Sequence, residues 1–586
     1  MASVTSEHLA NVKDMFTTCF GYSPYEVQTQ VIAEAFYTKT DQVVVQATGG
    51  GKSAIPLEVL RMAGGVGVVV VPLQTIGSNQ ASSAQKMCGD ITAYHWDEMA
   101  PREKAKLLSD LSKLTSVKST RIMLYVSPQS LEGKDNHLVA GLDELLDKSL
   151  LTVMGVDEMH RVPLDAPAFR QAFGKLKKKL FAKRTRSPKP PPAVCMTATL
   201  TKDLLEEFES LTGITEYTRT WGTTERPNIS LKVSFSDLTI HPLKDLIQRH
   251  RGGGVKRKAI IYTNHSSRVA KLNDGARKVL ADEEDAALLK GTTGGMQKSY
   301  LIDAFCADGQ VFKHINPTVM IATSAANCGI DCSSCGGVGR EGPPPHMVDW
   351  LQEMGRIRAR DTNYPYEYLI AMSGGTWANL VLRIFQKRPE DEYDSPGLAK
   401  RKKEEKKRQD CALQKAMEVL LVSRQCVHID LAEHGAEPGT AAVAREPCKK
   451  NCWKCNKKLL ALTDLKPNRR EVEWSLRRVL RGKVPWKEVV KQFNQNSNDI
   501  WGKVNKPSAK HAHRLFLQLV AARILAYSVQ EPGHKGDGKK KLEAKPKVVV
   551  EHGKSEVGGK VDDAYLDDSL WRGIIEEGEE KEQEES

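Results

Sequence analysis

The stretch Gln46–Ser53, QATGGGKS, constrains this chain more than any other. It follows the apolar run QVVV and precedes a helical pattern, so the backbone must pass from a strand through a glycine-rich turn into a helix start. Glycines carry no Cβ, which lets the backbone N–H groups of Thr48, Gly49, Gly50 and Gly51 point inward at phosphate oxygens. The helix start adds a favourable partial positive charge. In such a loop Lys52 reaches the outer phosphates of ATP and the Ser53 hydroxyl ligates Mg2+.

A strand–turn–helix unit of this kind belongs in a parallel sheet covered by helices, and the flanking sequence supplies one. Up to residue 225, short runs of Val, Ile and Leu (QVVVQA, VGVVVVP, IMLYVSP, LTVMGVDE, AVCMTAT) alternate with helical stretches. The segment TTERPN (Thr223–Asn228) interrupts the pattern, which resumes with KAIIYTN and TVMIATSA as far as residue 372. The expected fold class is therefore α/β, with tandem parallel-sheet lobes over 1–225 and 226–372.

LTVMG ends on a pair of acids, Asp157 and Glu158, with His160 two residues beyond. In ATPases with a phosphate loop, a second strand end delivers an acid to the metal. Asp157 is expected to hold Mg2+, directly or through water, and Glu158 to polarise the attacking water.

The charge distribution bears on the partner. The net charge is +13, but residues 562–586 alone carry −9, leaving +22 on the rest. A basic body of that size suits a polyanion, most simply nucleic acid. Apolar runs such as VGVVVVPL (Val66–Leu73) fall far short of the roughly 18–20 residues a membrane span needs. The N-terminus has no basic start followed by an apolar stretch, so an intracellular chain with no membrane partner and with reduced or metal-bound cysteines is expected.

Cys426, Cys448, Cys452 and Cys455, with 21, 3 and 2 residues between them, can close a tetrahedral Zn2+ site, with Cys411, His428 and His434 as substitutes. Cys328, Cys332 and Cys335 are read instead as small buried thiols. Beyond the cysteines, Ser508 caps a helical pattern, and ILAYSV and PKVVVE read as strands on either side of a Gly/Lys-rich stretch.

The order of these motifs resembles the RecQ family of superfamily-two DNA helicases over roughly residues 15–530. FGYSPYEVQTQVI (Phe20–Ile32) resembles the family segment in which a glutamine, here Gln28, reads the adenine edge. VVVVPLQTIGSNQ (Val68–Gln80) and LYVSPQSL (Leu124–Leu131) resemble segments that contact nucleic acid. MTATL places Thr197 and Thr199 where the family couples ATP state to domain movement, and RPNISLKV (Arg226–Val233) resembles the opening of its second domain. In IATSAANCGIDCSS the matching acid is Asp331. In WLQEMGRIRARD (Trp350–Asp361), Gln352 would face the nucleotide and Arg356 would approach the γ-phosphate from the opposite lobe.

The resemblance implies two RecA-like lobes, a helical zinc-binding module (373–465), a winged-helix domain (466–550) with Lys535, Lys539, Lys540 and Lys541 on its wing, and a disordered acidic tail (551–586). It implies ATP-driven 3′-to-5′ translocation on single-stranded DNA with duplex unwinding; DNA binding together with the Lys/Arg run AKRKKEEKKRQD (Ala399–Asp410) points to a nuclear location. His160 would link the acids to the DNA-sensing motif, and the tail is open to a protein partner.

Two positions depart from the family. Asp165 stands where an aromatic-rich loop usually has a tryptophan before Phe169 and Arg170, which removes a stacking ring worth about 1–3 kcal/mol per base. Ala359 stands at the usual second arginine, between Arg358 and Arg360, either of which could serve. An RNA helicase, a translocase that does not unwind, and a nucleic-acid scaffold with a decayed motor remain alternatives at this point.

Overall fold

The computed structural model describes most of residues 3–372, parts of 408–456, and short segments beyond, including 460–462, 484–485, 525–530 and 547–552. Thr48, 166–171, Cys328, Asp331, 358–363, the Ser508 helix pattern, the wing and the acidic tail beyond residue 552 lie outside the described residues, as does the Asp165 side chain.

Seven parallel strands build the first lobe: β1 (Gln42–Val45), β2 (Gly65–Val70), β3 (Thr92–His95), β4 (Arg121–Val126), β5 (Leu151–Val156), β6 (Ala193–Thr197) and β7 (Thr218–Trp221). Their order is β3-β4-β2-β5-β6-β1-β7. Side chains alternate across a strand, so an apolar run buries both faces of the sheet. Val43 and Val45 join one core with Val66, Val68, Leu124, Met154 and Cys195. Val44 joins the opposite core with Val69, Met123, Val153 and Val194. The helices Pro101–Ser112, His137–Asp147 and Lys202–Thr212 cover the first face. Those at Ser6–Phe20, Glu26–Ala33 and Ala54–Ala63 cover the second. Loops after β1, β6 and β5 therefore emerge side by side at one edge, which sets the phosphate loop beside Asp157 and Glu158.

The second lobe repeats the plan with β8 (Ser230–Phe235), β9 (Lys258–Thr263), β10 (Ala286–Leu289), β11 (Val319–Ala322), β12 (Cys335–Glu341), β13 (Glu367–Met372) and β14 (Leu460–Leu462). These too are parallel, in the order β10-β11-β9-β12-β13-β8-β14. Glycines in β12 let a helix lie close: a Cβ on Gly339 would stand 2.7 Å from Leu243 of the helix Ile240–Arg251. The last strand comes from the segment expected to be part of the zinc module, so that segment completes the second sheet.

A separate antiparallel sheet, β15 (Val484–Pro485), β16 (Leu525–Gln530) and β17 (Lys547–His552), runs in the order β15-β17-β16. Among the described residues no helix is long and apolar enough to cross a membrane.

Candidate functional site

The loop after β1 turns through Gly49 and Gly51, at φ 84° and 74°, backbone values that residues with a Cβ rarely adopt. Gly51 has a second constraint, since a Cβ there would collide with the Gln28 amide. The Lys52 ammonium donates to the carbonyls of Gln46 (2.7 Å) and Ala47 (3.2 Å), curled over the loop it follows. Ser53 is the N-cap of the helix Ala54–Ala63, yet its hydroxyl makes no capping bond. Gln28 is fully buried; its amide donates to the Gly51 carbonyl (3.0 Å) and accepts from the Tyr25 N–H (2.8 Å). Here the residue expected to meet adenine is tied to the phosphate loop.

Across the loop, β5 delivers the two acids. Asp157 accepts from the Glu158 N–H (2.9 Å) and from the Gln80 amide. Burial raises its pKa against the opposing charge of Lys52. Glu158 holds φ 47°, an unusual value for a residue with a side chain and one that concentrates at functional sites. Burial, then the neighbouring Asp157, pushes its carboxyl up to about 7, while Lys52 and Arg356 pull it down. A carboxyl of that pKa suits proton acceptance near neutral pH. Lys52 of the first lobe and Arg356 of the second thus bear on one carboxylate.

His160 joins the lobes. Its Nδ1 is 2.7 Å from the Thr197 hydroxyl and its Nε2 is 2.8 Å from the Gln352 amide nitrogen. The Thr197 hydroxyl donates its single proton to the Thr199 carbonyl (3.0 Å), so Nδ1–H must be the donor to Thr197. Nε2 then lacks a proton and accepts from Gln352. Burial holds His160 well below its usual pKa, which agrees with a neutral ring. Gln352 and Arg356 belong to and follow the helix Met347–Met354, and Arg356 donates to the Ile330 carbonyl (2.6 Å).

Several buried polar atoms here have no hydrogen-bond partner in the protein: the carboxamide oxygens of Gln80 and Gln352 and the Thr199 hydroxyl. Orphaned polar groups are costly when dry, and these three belong to residues bonded to Asp157, His160 and Thr197, where a polar ligand would satisfy them. Such a donor set suits a triphosphate with its divalent metal.

Residues 25–208 match the DEAD/DEAH box helicase family. The chain carries a DEAD/DEAH box helicase domain. The phosphate loop, Gln28, Asp157, Glu158, His160 and Thr197 all fall inside this helicase domain. Among its relatives are "ATP-dependent DNA helicase Q-like 2" of Arabidopsis thaliana, 26% identical over 39% of this chain and 31% of that protein, and "Probable ATP-dependent DNA helicase RecS" of Bacillus subtilis, 26% identical over 39% of this chain and 42% of that one. "ATP-dependent DNA helicase RecQ" of Haemophilus influenzae is 23% identical over 63% of this chain and 54% of its own length. The chain therefore spans less than two thirds of each of these relatives.

Two contributors to the helicase domain were missed in the sequence. Gln80 sits at the end of a segment assigned to nucleic-acid contact, but its amide holds Asp157. Asp97, in no motif, accepts from the Ser127 N–H (2.9 Å) and the hydroxyls of Ser127 (2.7 Å) and Ser130 (2.6 Å), fixing the turn of LYVSPQSL. No local pattern announces either contact; both depend on which loops the sheet brings together. Thr48, Asp331, Arg358, Arg360, Phe169 and Arg170 fall outside the described residues.

Outside the helicase domain, the sulfurs of Cys426, Cys448, Cys452 and Cys455 lie within 4.8 Å of one another, the only such group among the described residues. A tetrahedral zinc with bonds of about 2.3 Å separates its sulfurs by roughly 3.8 Å. Cys426 and Cys452 are 3.8 Å apart, so the four thiols fit the metal. His428 turns away to the Asn451 carbonyl (3.3 Å). Cys332 and Cys335 are buried, with their sulfurs against the carbonyls of Phe305 (3.8 Å) and Gly337 (3.6 Å).

Proposed function

We propose that this chain is an ATP-dependent DNA helicase that moves 3′ to 5′ along single-stranded DNA and separates duplexes, in repair, recombination or replication. One observation carries the reading: the Gln352 amide of the second lobe donates to His160 of the first, two residues from Glu158, at 2.8 Å. The charges of Lys52 and Arg356, from different lobes, both favour the ionised form of Glu158, in keeping with it. A site divided between two sheets changes its contacts whenever the lobes part, so ATP turnover becomes lobe motion. Nucleic-acid grips on the two lobes then alternate, and the strand advances.

In this reading Lys52 and the backbone of Thr48–Gly51 hold the phosphates, and Ser53 and Asp157 hold Mg2+. Bound Mg2+ would neutralise charge on the phosphates, and Glu158 orients water for attack. Arg356, with Arg358 or Arg360, stabilises developing charge, Asp331 and Gln352 face the nucleotide, Thr197 and Thr199 couple ATP state to domain movement, and Gln28 exchanges Gly51 for adenine. The names of the relatives favour DNA over RNA. The antiparallel sheet β15-β17-β16 supports a winged-helix domain, whose basic wing would grip duplex phosphates. A nuclear location and a protein partner for the acidic tail complete the proposal.

Strand displacement tests the whole. A DNA duplex with a 3′ single-stranded overhang should be unwound at least about tenfold faster than one with a 5′ overhang or an RNA duplex. Equal or faster RNA unwinding would favour the RNA-helicase alternative, and ATP hydrolysis without strand separation would favour a translocase. Zinc is tested by metal content. Wild type should hold about one zinc per chain, and Cys452→Ser should hold little and melt at lower temperature, because a structural site contributes its binding energy to folding. Zinc-free wild-type protein of unchanged stability would refute the site.

A further inference from the structure

We propose that Trp453, in the cysteine module, is a positioning residue for the ATP cleft: its indole holds the helix Met347–Met354, which carries Gln352 and leads into Arg356. The proposal rests on the two-lobed ATP site described above and adds to it a remote support.

Trp453 lies between Cys452 and Cys455 and is only 2% exposed. Its indole is parallel to that of Trp350, with 6.3 Å between ring centroids and 5° between planes. Trp350 also stacks with Tyr368 of β13, at 6.2 Å and 25°. Offset stacks at these separations add to the area the rings bury, and they prescribe a geometry that aliphatic packing does not. The three rings come from three places: the cysteine loop, the helix beside the cleft, and the core of the second sheet.

The backbone fixes the indole's origin. The Trp453 N–H donates to the Leu231 carbonyl (3.1 Å), the Leu231 N–H donates to the Asn451 carbonyl (2.8 Å), and Cys452 forms a parallel bridge with Leu231 of β8. The ring therefore cannot slide without breaking bonds to the second sheet. At the other end, all eight residues of Met347–Met354 are buried. Glu353 accepts from the Tyr368 hydroxyl (2.7 Å) and pairs with Arg340. Gln352 reaches His160 across the cleft at 2.8 Å. A hydrogen bond of that length between separate lobes tolerates little tilt of the helix that carries it.

The same module also touches the first lobe. The Trp221 indole N–H of β7 donates to the Gly435 carbonyl (2.8 Å). Lys415 pairs with Asp203 (2.7 Å), Arg408 with Glu207 (2.8 Å) and Arg445 with Glu225 (2.6 Å). Surface ion pairs of this kind contribute little energy singly. Together with the Trp221 bond they seat the module against both lobes, with Trp453 as its contact to the helix beside the cleft. Removing the indole leaves a void against Trp350 into which the helix can shift.

The test uses full-length Trp453→Ala and Trp453→Phe. Four quantities are read: kcat, the KM for ATP, zinc per chain, and hydrogen exchange in residues 347–357. Trp453→Ala should lower kcat about tenfold, a misplacement effect, with KM within about twofold, zinc unchanged and faster exchange in 347–357. Trp453→Phe, which keeps a flat ring, should restore most of the rate and the protection. Wild-type kcat in Trp453→Ala, or kcat lost only in proportion to zinc, would overturn the proposal. If wild type hydrolyses ATP no faster than Lys52→Ala, the motor reading fails instead. Exchange in 347–357 then decides by itself whether Trp453 holds the helix, and unchanged protection refutes it.

Discussion

Lys52→Ala should lower ATP hydrolysis by about 10²–10³-fold, the scale of removing one preorganised charge from a transition state. The ammonium now spans the Gln46 and Ala47 carbonyls, so it is held at the loop before any phosphate arrives. Its positive charge also opposes the raised pKa values of Asp157 and Glu158. Its loss would leave two buried acids closer to neutral, weakening the metal site as well as phosphate contact. Steady-state hydrolysis with saturating single-stranded DNA is the measurement. A variant that kept half of the wild-type rate would remove Lys52 from the mechanism.

Glu158→Gln should separate binding from turnover. The amide keeps the shape of the side chain but cannot take a proton, and general-base removal costs about 10²–10⁴-fold in rate. ATP affinity should stay within a few-fold, because Lys52 and the loop backbone remain. The thermal midpoint should equal or exceed that of wild type. Burial and the adjacent Asp157 both disfavour the Glu158 charge, so a neutral side chain relieves the folded state. An inactive variant that is also less stable would point to a structural role. An active one would assign the water to another group.

What the sequence disclosed depended on how local the physics is. The phosphate loop was legible because phosphate binding requires glycine, lysine and a hydroxyl in consecutive positions after a strand. Strands β1, β2, β4, β5 and β6 were legible because both faces are buried, which demands unbroken Val, Ile and Leu. The TAYH of β3 and the TRTW of β7 were not, since each is short and lies at an end of the sheet. The CGGVGRE of β12 is not among the strand-like runs the sequence shows, since its glycines interrupt the apolar pattern and serve the close approach of a helix. Cysteine spacing gave the thiol cluster, because a metal fixes its ligands' separation. Gln80, Asp97 and Trp453 are single side chains whose partners lie far along the chain, and only the assembled sheets bring them together.

β14 has a practical consequence for dissecting the chain. It pairs with β8 through Leu460–Val233, Ala461–Ser234 and Leu462–Phe235, and so closes one side of the second sheet. A truncation after residue 372 would strip that cover and bare the ladder of β8, whose Leu231 and Val233 are otherwise shielded. Unpaired margins of this sort recruit strands from other molecules. A two-lobed fragment cut there should therefore clump on expression, whereas one extended past residue 462 should stay dispersed.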